Sequence, residues 1–343
     1  MIASFFLLDV VMNPTMKPPL WLLTLLIMFP QLVETIYSPA LPNIARSFQV
    51  SNEHAAQTLS VYFFAFAAGV ALWGWLSDWI GRRPAMMAGL GCYGVGAAMA
   101  IVATDFNILL LARMVAALGA AAGSVVVQTM LRDSYQSTTL ARVFSVMGAL
   151  LAVSPVFGLI TGSWLVSLYG HTGVFIALVS LAIVLLILTV ISLPETRPKN
   201  TLTIRRSNLA YRMARDRALW KSALLIALLN TMLFSYYSLA PFLFKRLGWN
   251  STEFGWTGAL LALASLSGSL LNRKLLTTNI TPEQLVHYAC ALALLSGMVA
   301  LKLQHSVWIL VPIAGVVIAY GIAIPNVLSQ ALKNYREQTG AAG

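Results

Sequence analysis

Two ionisable residues lie deep inside long apolar stretches of this sequence. Glu34 interrupts an apolar run at residues 20–41, and Arg113 interrupts another at residues 108–130. A charged side chain at the centre of a bilayer costs about 3 kcal/mol, so we expect each residue to face protein or a water-filled cavity. Ionisable residues in such positions mark proton relays and substrate pathways. Glu34 and Arg113 are therefore predicted to take part in proton coupling or in sensing the substrate.

Each of these charges shares a helix face with polar or small residues, at about 100° per residue. The face of Glu34 also holds Thr24, Gln31, Thr35 and Ser38, and the face of Arg113 holds Ala117, Ala120, Ser124 and Gln128. Faces of this kind line cavities or close helix contacts. Burial favours a neutral carboxyl group and a nearby guanidinium favours an ionised one, and this opposition suits proton exchange. The alternative is a purely structural ion pair between Glu34 and Arg113, and the sequence leaves both open.

Several softer signals suggest a substrate cavity and a helix hinge. The candidates for the cavity are amide, hydroxyl and aromatic residues within apolar runs, namely Gln31, Thr35, Gln128, Asn230, Phe234 and Tyr237. Such residues suit a pocket for a flat lipophilic ligand, although aromatic residues in membrane spans also serve as packing groups or interface anchors. Pro155 can hinge a helix, and Gly158 and Gly162, four residues apart, permit close helix approach.

The elements that position these residues are predicted to be membrane-spanning helices. The sequence is 59% hydrophobic and 10% charged, whereas soluble domains are about 25% charged. Apolar runs near the length of about 20 residues that a spanning helix needs lie at 20–41, 56–76, 85–104, 108–130, 143–168, 174–193, 222–243, 254–271, 285–301 and 307–329. They are predicted to be helices because only internally paired backbone is tolerated in lipid. Residues 1–12 are too short to span and lack signal-peptide features.

The basic residues predict the orientation and the division of the chain. Most of the 22 lysines and arginines fall on one side of the predicted spans if the amino terminus is cytoplasmic, as the positive-inside rule requires. Both termini are then cytoplasmic. Residues 194–221 form a basic linker between a bundle of six helices at 1–193 and a bundle of four at 222–343.

The composition also argues against several other classes of function. The net charge of +11 is spread over loops between apolar runs, which indicates a membrane protein rather than one that binds nucleic acid. Cys92 and Cys290 lie singly in apolar runs, which predicts no disulfide or metal site. The apolar runs contain no nucleophile–base arrangement of the kind that an intramembrane enzyme needs. They also contain no rings of charge of the kind that line a channel.

The segment GWLSDWIGRRP, between the second and third predicted spans, resembles the G-x-L-x-D-x-x-G-R-[RK] loop of the major facilitator superfamily. The matching residues are Gly74, Leu76, Asp78, Gly81, Arg82 and Arg83. Gly74 is expected to let the second helix pack closely and Gly81 to permit a tight turn. The resemblance implies a two-bundle all-α membrane fold in which this loop is a conformational switch.

Further segments resemble the bicyclomycin and chloramphenicol resistance branch of drug:proton antiporters, namely YSPALPNIARSF, LRDSYQ, SP with GSW, and LPETR. Arg113 matches the arginine that matters for proton coupling in that family. The position of its first-helix acid is Thr35 here, and Glu34 stands immediately before it. The resemblance implies a monomeric inner-membrane efflux carrier for lipophilic small molecules, driven by the proton gradient without a cofactor, with substrate bound between two halves that alternate access.

The family has twelve helices, and YREQTGAAG stands where relatives lead into the eleventh. The expectation from this comparison is that two helices are absent. A non-transporting remnant and a carrier of another small solute therefore remain as alternatives. The spacing of Gly268 and Asn272 weakly echoes that of Gly74 and Asp78, as expected of repeated halves.

Overall fold

The computed structural model describes residues 17–135, 137–198, 215–278 and 280–331, and its regular structure there is entirely helical. Short 3₁₀ turns at Ser38–Ala40 and Val307–Ile309 join or precede longer helices. The helices are α1 (Leu20–Tyr37), α2 (Leu41–Ser47), α3 (Asn52–Ile80), α4 (Arg82–Ile101), α5 (Phe106–Ser134), α6 (Ser137–Ser192), α7 (Arg217–Arg246), α8 (Ser251–Leu275), α9 (Pro282–Lys302) and α10 (Leu310–Ala331).

Nine segments within these ranges are long and apolar enough to cross a bilayer. One of them belongs to α6, whose 56 residues would extend about 84 Å at about 1.5 Å per residue, far beyond a hydrocarbon core of about 30 Å. Gly170 breaks α6 with a φ of 64° and a ψ of −160°. This break lies between the predicted spans 143–168 and 174–193, and each of the ten predicted spans lies mainly in helical structure. The predicted all-α, multi-span architecture is confirmed.

The chain divides into two compact units, residues 1–199 and 200–343. The division lies within the predicted linker 194–221, of which residues 199–214 are outside the described ranges. In the first unit α1 and α5 are the most deeply buried helices. In the second unit a core of small and branched side chains from α7, α9 and α10 includes Ala289 and Ala323.

Small residues let the helices of the first unit approach one another closely, as expected where lipid offers no hydrophobic drive for helix association. A Cβ on Gly119 of α5 would collide with the backbone of Tyr93 on α4. A Cβ on Gly162 of α6 would collide with the backbone of Ile36 on α1. These contacts bring α4 against α5, the helix of Arg113, and α6 against α1, the helix of Glu34.

Helix starts are fixed by short polar residues that accept hydrogen bonds from the first free amides. Asp105 caps α5 and Asp216 caps α7 in this way. Asn250 and Glu253 form a reciprocal capping box at the start of α8. These polar residues of the connections therefore define where α5, α7 and α8 begin.

Candidate proton-coupling site and switch loop

Arg113 is held between two tyrosine rings in the interior of the first unit. Its side chain is buried, with 2% of the residue surface exposed. The guanidinium carbon Cζ lies 3.8 Å from the ring centroid of Tyr37 on α1 and 4.4 Å from that of Tyr62 on α3. A desolvated cation over an aromatic face gains about 2 kcal/mol. The two rings therefore stabilise a charge that would otherwise be costly inside the membrane.

The ring of Tyr37 is itself fixed by a hydrogen-bond chain. Its hydroxyl donates to Thr58 Oγ1 of α3 at 2.8 Å, and the Thr58 hydroxyl donates to the carbonyl of Ala55 at 2.6 Å. Both side chains are buried, so water does not compete for these bonds. The chain ties α1 to α3 and sets the position of the ring beneath Arg113.

Glu34 lies one helical turn before Tyr37 on α1, with 3% of its surface exposed. Its charge and that of Arg113 act on each other, but no direct ion pair joins these two residues, both of which lie in the described ranges. Glu34 Oε1 and the Nε and Nη2 atoms of Arg113 are buried without a hydrogen-bond partner. The structural ion pair considered from the sequence is therefore not formed.

The other polar residues of the Glu34 face bond largely to their own helix. Thr24 Oγ1 donates to the carbonyl of Leu20 at 2.8 Å, and Thr35 Oγ1 donates to the carbonyl of Gln31 at 2.9 Å. Thr35 is fully buried, whereas Gln31 and Gln128 are half-buried. The predicted part of Gln31, Thr35 and Gln128 in a substrate cavity stays a prediction.

Gly158 and Gly162 form a close contact of α6 with α1. A Cβ on Gly158 would collide with the side chain of Thr35. Pro155 is buried within the same helix. The small residues thus provide the close approach expected of their spacing, while the hinge function of Pro155, Gly158 and Gly162 stays a prediction.

The predicted switch loop, residues 74–84, contains a charge network centred on Arg82. Gly81 separates α3 from α4 with a φ of +106°, a conformation that favours glycine. The Arg82 guanidinium forms ion pairs with Asp78 of α3 and, at 2.9 Å, with Asp133 at the end of α5. The network therefore links three helices through the arginine that follows Gly81.

Glu195, just beyond α6, adds a third carboxylate to this network. Its carboxylate accepts hydrogen bonds from the backbone amides of Arg82 at 2.9 Å and Arg83 at 3.1 Å. These are the first amides of α4, where an anion is favoured by the helix dipole. Conversely, the Arg197 guanidinium donates to the carbonyl of Trp79 near the end of α3 at 2.8 Å, where a cation is favoured.

Sequence reasoning missed the parts played by Asp133 and Glu195. The only available signal was that both acids occur in segments quoted for the family resemblance, LRDSYQ and LPETR. Sequence reasoning also assigned the close packing of the second predicted span, which is α3, to Gly74, and this prediction is wrong. A Cβ there would lie 3.6 Å from Val125, an ordinary contact, whereas a Cβ on Gly69 would lie 2.8 Å from Leu118 O.

The predicted residues of the seventh span lie within the second unit. Asn230 Oδ1 accepts a hydrogen bond from the hydroxyl of Tyr320 at 3.2 Å, and the ring of Phe234 lies 6.0 Å from that of Tyr237. A mainly apolar cavity of about 330 Å³ opens on a neighbouring face of α7. Its lining includes Met232, Ser235, Tyr236, Gln304, Ile309 and Ile313.

A family profile described as Major Facilitator Superfamily matches residues 21–343. The chain belongs to this superfamily. It is 30% identical over 345 residues to an uncharacterized transporter of Rickettsia bellii, covering 95% of this chain and 85% of the relative. It is 28% identical over 302 residues to a bicyclomycin resistance protein homolog of Haemophilus influenzae, covering 84% of this chain and 74% of the relative. The family named from the sequence is therefore confirmed.

The fold is also that of a solved transporter. The structure of a bacterial homolog of the human lysosomal transporter Spinster, in an inward-facing and occupied conformation, matches with a TM-score of 0.73. The match covers 94% of this chain and 76% of that chain at 18% sequence identity, so it establishes the fold alone. The family and this structural neighbour are transporters rather than enzymes, and the chain is a multi-span membrane protein.

Proposed function

We infer that this chain is a secondary transporter that exports lipophilic small molecules across the bacterial inner membrane in exchange for protons. Transport proceeds by alternating access and is driven by the proton gradient without a cofactor. Both termini face the cytoplasm, as the distribution of basic residues favours. The bicyclomycin resistance homolog among the relatives supports a drug-like substrate.

The observation that carries the proton-coupling proposal is the buried Glu34 carboxyl group near, but not paired with, the Arg113 guanidinium. A carboxyl group that is not tied into a direct ion pair can gain or lose a proton without breaking one. Protonation removes the attraction between the charges of α1 and α5. A charge change of this kind can bias two conformations against each other.

The lipophilic class of substrate is supported by the composition of the interior. The cavity of the second unit has about 330 Å³, within the range of about 300–1,000 Å³ that is usual for small-molecule sites. Its lining is mainly apolar, with Ser235 and Gln304 among its polar members. A small apolar or weakly polar molecule fits these properties better than a sugar or an ion.

The test is ethidium efflux and drug susceptibility in a bacterial strain that lacks its main efflux pumps. Cells expressing the chain should accumulate less ethidium than cells with empty vector, and a protonophore should abolish the difference. Glu34→Gln should abolish export because the carboxyl group can no longer exchange a proton. Glu283→Gln, the same change at an exposed carboxylate on α9, should leave export unchanged.

Two results would contradict the proposal. If Glu34→Gln exports ethidium as well as the unmodified chain does, Glu34 is not the coupling acid. If the unmodified chain reaches the membrane and changes the level of no dye or drug tested, the efflux function is wrong.

A further inference from the structure

Five buried polar atoms around Arg113 lack hydrogen-bond partners. They come from four residues on four helices: Glu34 Oε1 on α1, the hydroxyl oxygens of Tyr62 on α3 and Tyr93 on α4, and Nε and Nη2 of Arg113 on α5. Buried polar side chains in native proteins nearly always pair with protein or with ordered water. So many unpaired atoms in one region therefore point to a ligand that can both donate and accept hydrogen bonds.

These four residues are neighbours in the interior of the first unit. Tyr62 interacts electrostatically with Tyr93, Arg113 and Glu34, and Tyr93 interacts with Arg113. The guanidinium carbon of Arg113 lies over the ring of Tyr62. The unpaired atoms therefore lie on one group of mutually interacting side chains, here called the cluster, in which Arg113 and Tyr62 are in direct contact.

The aromatic contacts explain why the arginine still has donors to offer. The rings of Tyr37 and Tyr62 both lie against the guanidinium. A cation–π contact stabilises the positive charge through the face of the ring, but it does not accept the N–H groups that point outward in the guanidinium plane. Nε and Nη2 therefore keep donors that require an oxygen acceptor.

We propose that Glu34, Tyr62, Tyr93 and Arg113 bind ordered water, and that the rings of Tyr37 and Tyr62 hold the guanidinium so that this water, rather than Glu34, accepts its N–H groups. Water fits because it can accept from Arg113 and donate to Glu34 Oε1 at once. A buried water usually makes about three hydrogen bonds, and the cluster offers five unpaired atoms. Tyr62 and Tyr37 are thus positioning residues.

The part that this water plays in transport rests on the proposed proton-coupled export. In the protonating step, a hydronium ion in the cluster transfers one proton to Glu34 Oε1 and remains as neutral water. The reverse step returns the proton to water and leaves an ionised carboxylate. The water is then the immediate donor and acceptor for Glu34.

Phenylalanine and leucine variants separate the ring from the hydroxyl group. Tyr37→Phe keeps the ring and removes only the bond to Thr58, so it should reduce export less than Tyr37→Leu, which removes the ring as well and should reduce export by more than about tenfold. Tyr62→Phe and Tyr93→Phe keep the rings and remove water ligands, so they should shift the pH profile of export. Tyr288→Phe, which removes an exposed hydroxyl group on α9 of the second unit outside the cavity lining, is the control.

Infrared difference spectroscopy of the purified chain, between acidic and alkaline pH, tests the water directly. The unmodified chain should show an O–H stretching band that shifts in ¹⁸O-labelled water, together with a carboxyl band that Glu34→Gln removes. The Tyr62→Phe, Tyr93→Phe double variant should lose or shift both bands. An unshifted spectrum in that variant, with thermal unfolding unchanged, would overturn the proposal.

The spectrum also separates this inference from the proposed function. The water band is measured without transport, so bound water in a chain that exports nothing would leave the site standing and reject the export. Proton-coupled export with no isotope-sensitive band would do the opposite.

Discussion

The two units contain the same tyrosine–threonine hydrogen bond in different surroundings. Tyr37 donates to Thr58 at 2.8 Å in the first unit, and Tyr236 donates to Thr257 at 2.7 Å in the second, with a separation of 21 residues in both. Each threonine in turn donates to the carbonyl three residues before it. This repetition is expected of a transporter built from repeated halves.

What surrounds each pair differs completely. Beside Tyr37 lie Arg113 and, three residues earlier on the same helix, Glu34; the residue three before Tyr236 is Leu233. Tyr236 instead lines the cavity of about 330 Å³. The shared hydrogen bond thus fixes a pair of helices in each unit, and the neighbouring side chains decide whether the interior carries charge or apolar space.

The ends of the second membrane span of each unit, on α3 and α8, show the same contrast. In the first unit Asp78 pairs with Arg82. In the second, Asn272 Oδ1 accepts a hydrogen bond from Asn326 Nδ2 at 2.6 Å, and both residues are buried. The segments Gly74–Asp78 and Gly268–Asn272, which have similar spacing, thus end in a charged contact in the first unit and in a neutral contact in the second.

The largest expected effect comes from removing the charge that distinguishes the first unit. Arg113→Leu takes away the cation between Tyr37 and Tyr62 and leaves Glu34 without an opposite charge nearby. Ethidium export should fall by more than about tenfold, because the Glu34 carboxyl group loses the nearby positive charge that favours its ionised form. Arg246→Leu, the same change at an exposed arginine in the last turn of α7 of the second unit, should retain export. Equal loss in both variants would remove the proposed distinction.

Next in size is the effect of a methyl group on the two glycines of the switch motif. Gly81→Ala forces a side chain into a φ of +106° and places Cβ 2.6 Å from Glu195 Oε2, so it should destabilise the chain by about 1–3 kcal/mol. Gly74→Ala meets only an ordinary contact with Val125 and should stay within about 0.5 kcal/mol. Thermal unfolding in detergent measures both, and a larger loss for Gly74→Ala would refute the assignment.

The failure of the sequence at Gly74 illustrates what a motif can and cannot predict. Apolar runs predicted the spans because about 20 mostly apolar residues in succession suit only the hydrocarbon core of a bilayer. The contacts of Arg82 could not be predicted in this way, because Asp133 and Glu195 lie 51 and 113 residues away from it in the sequence. Such partners depend on how the helices pack, whereas a motif shows only which residue types occur at a fixed spacing.

The same limit applies to the coupling site. Glu34 and Arg113 could be predicted because a charge in an apolar run has few acceptable environments. The sandwich of Arg113 between Tyr37 and Tyr62 could not, because an aromatic residue in a membrane span is also suited to packing or to the interface. Tyr37 is the first residue of YSPALPNIARSF, one of the segments that carry the family resemblance. Nothing in the spacing of the sequence paired it with Thr58 or Arg113.

A smaller effect is expected where Glu195 meets the start of α4. Glu195→Ala removes the acceptor for the amides of Arg82 and Arg83 and should destabilise the chain by about 1 kcal/mol, the usual loss for a helix cap. Glu283→Ala, at the first turn of α9, removes an exposed carboxylate that does not cap the helix, since Thr281 does so. If both variants unfold at the same temperature, Glu195 does not stabilise the switch loop.

The smallest expected effect is that of Tyr236→Phe, which sharpens the comparison between the units. The change removes one buried hydrogen bond to Thr257 but leaves the threonine bonded to the carbonyl of Phe254 at 2.7 Å. Stability should fall by about 1 kcal/mol, the net value of a typical hydrogen bond, and the pH profile of ethidium export should not move, since neither Glu34 nor Arg113 lies in this unit. A shifted pH profile would mean that the second unit also takes part in proton coupling, and the contrast between a charged and an apolar half would then be wrong.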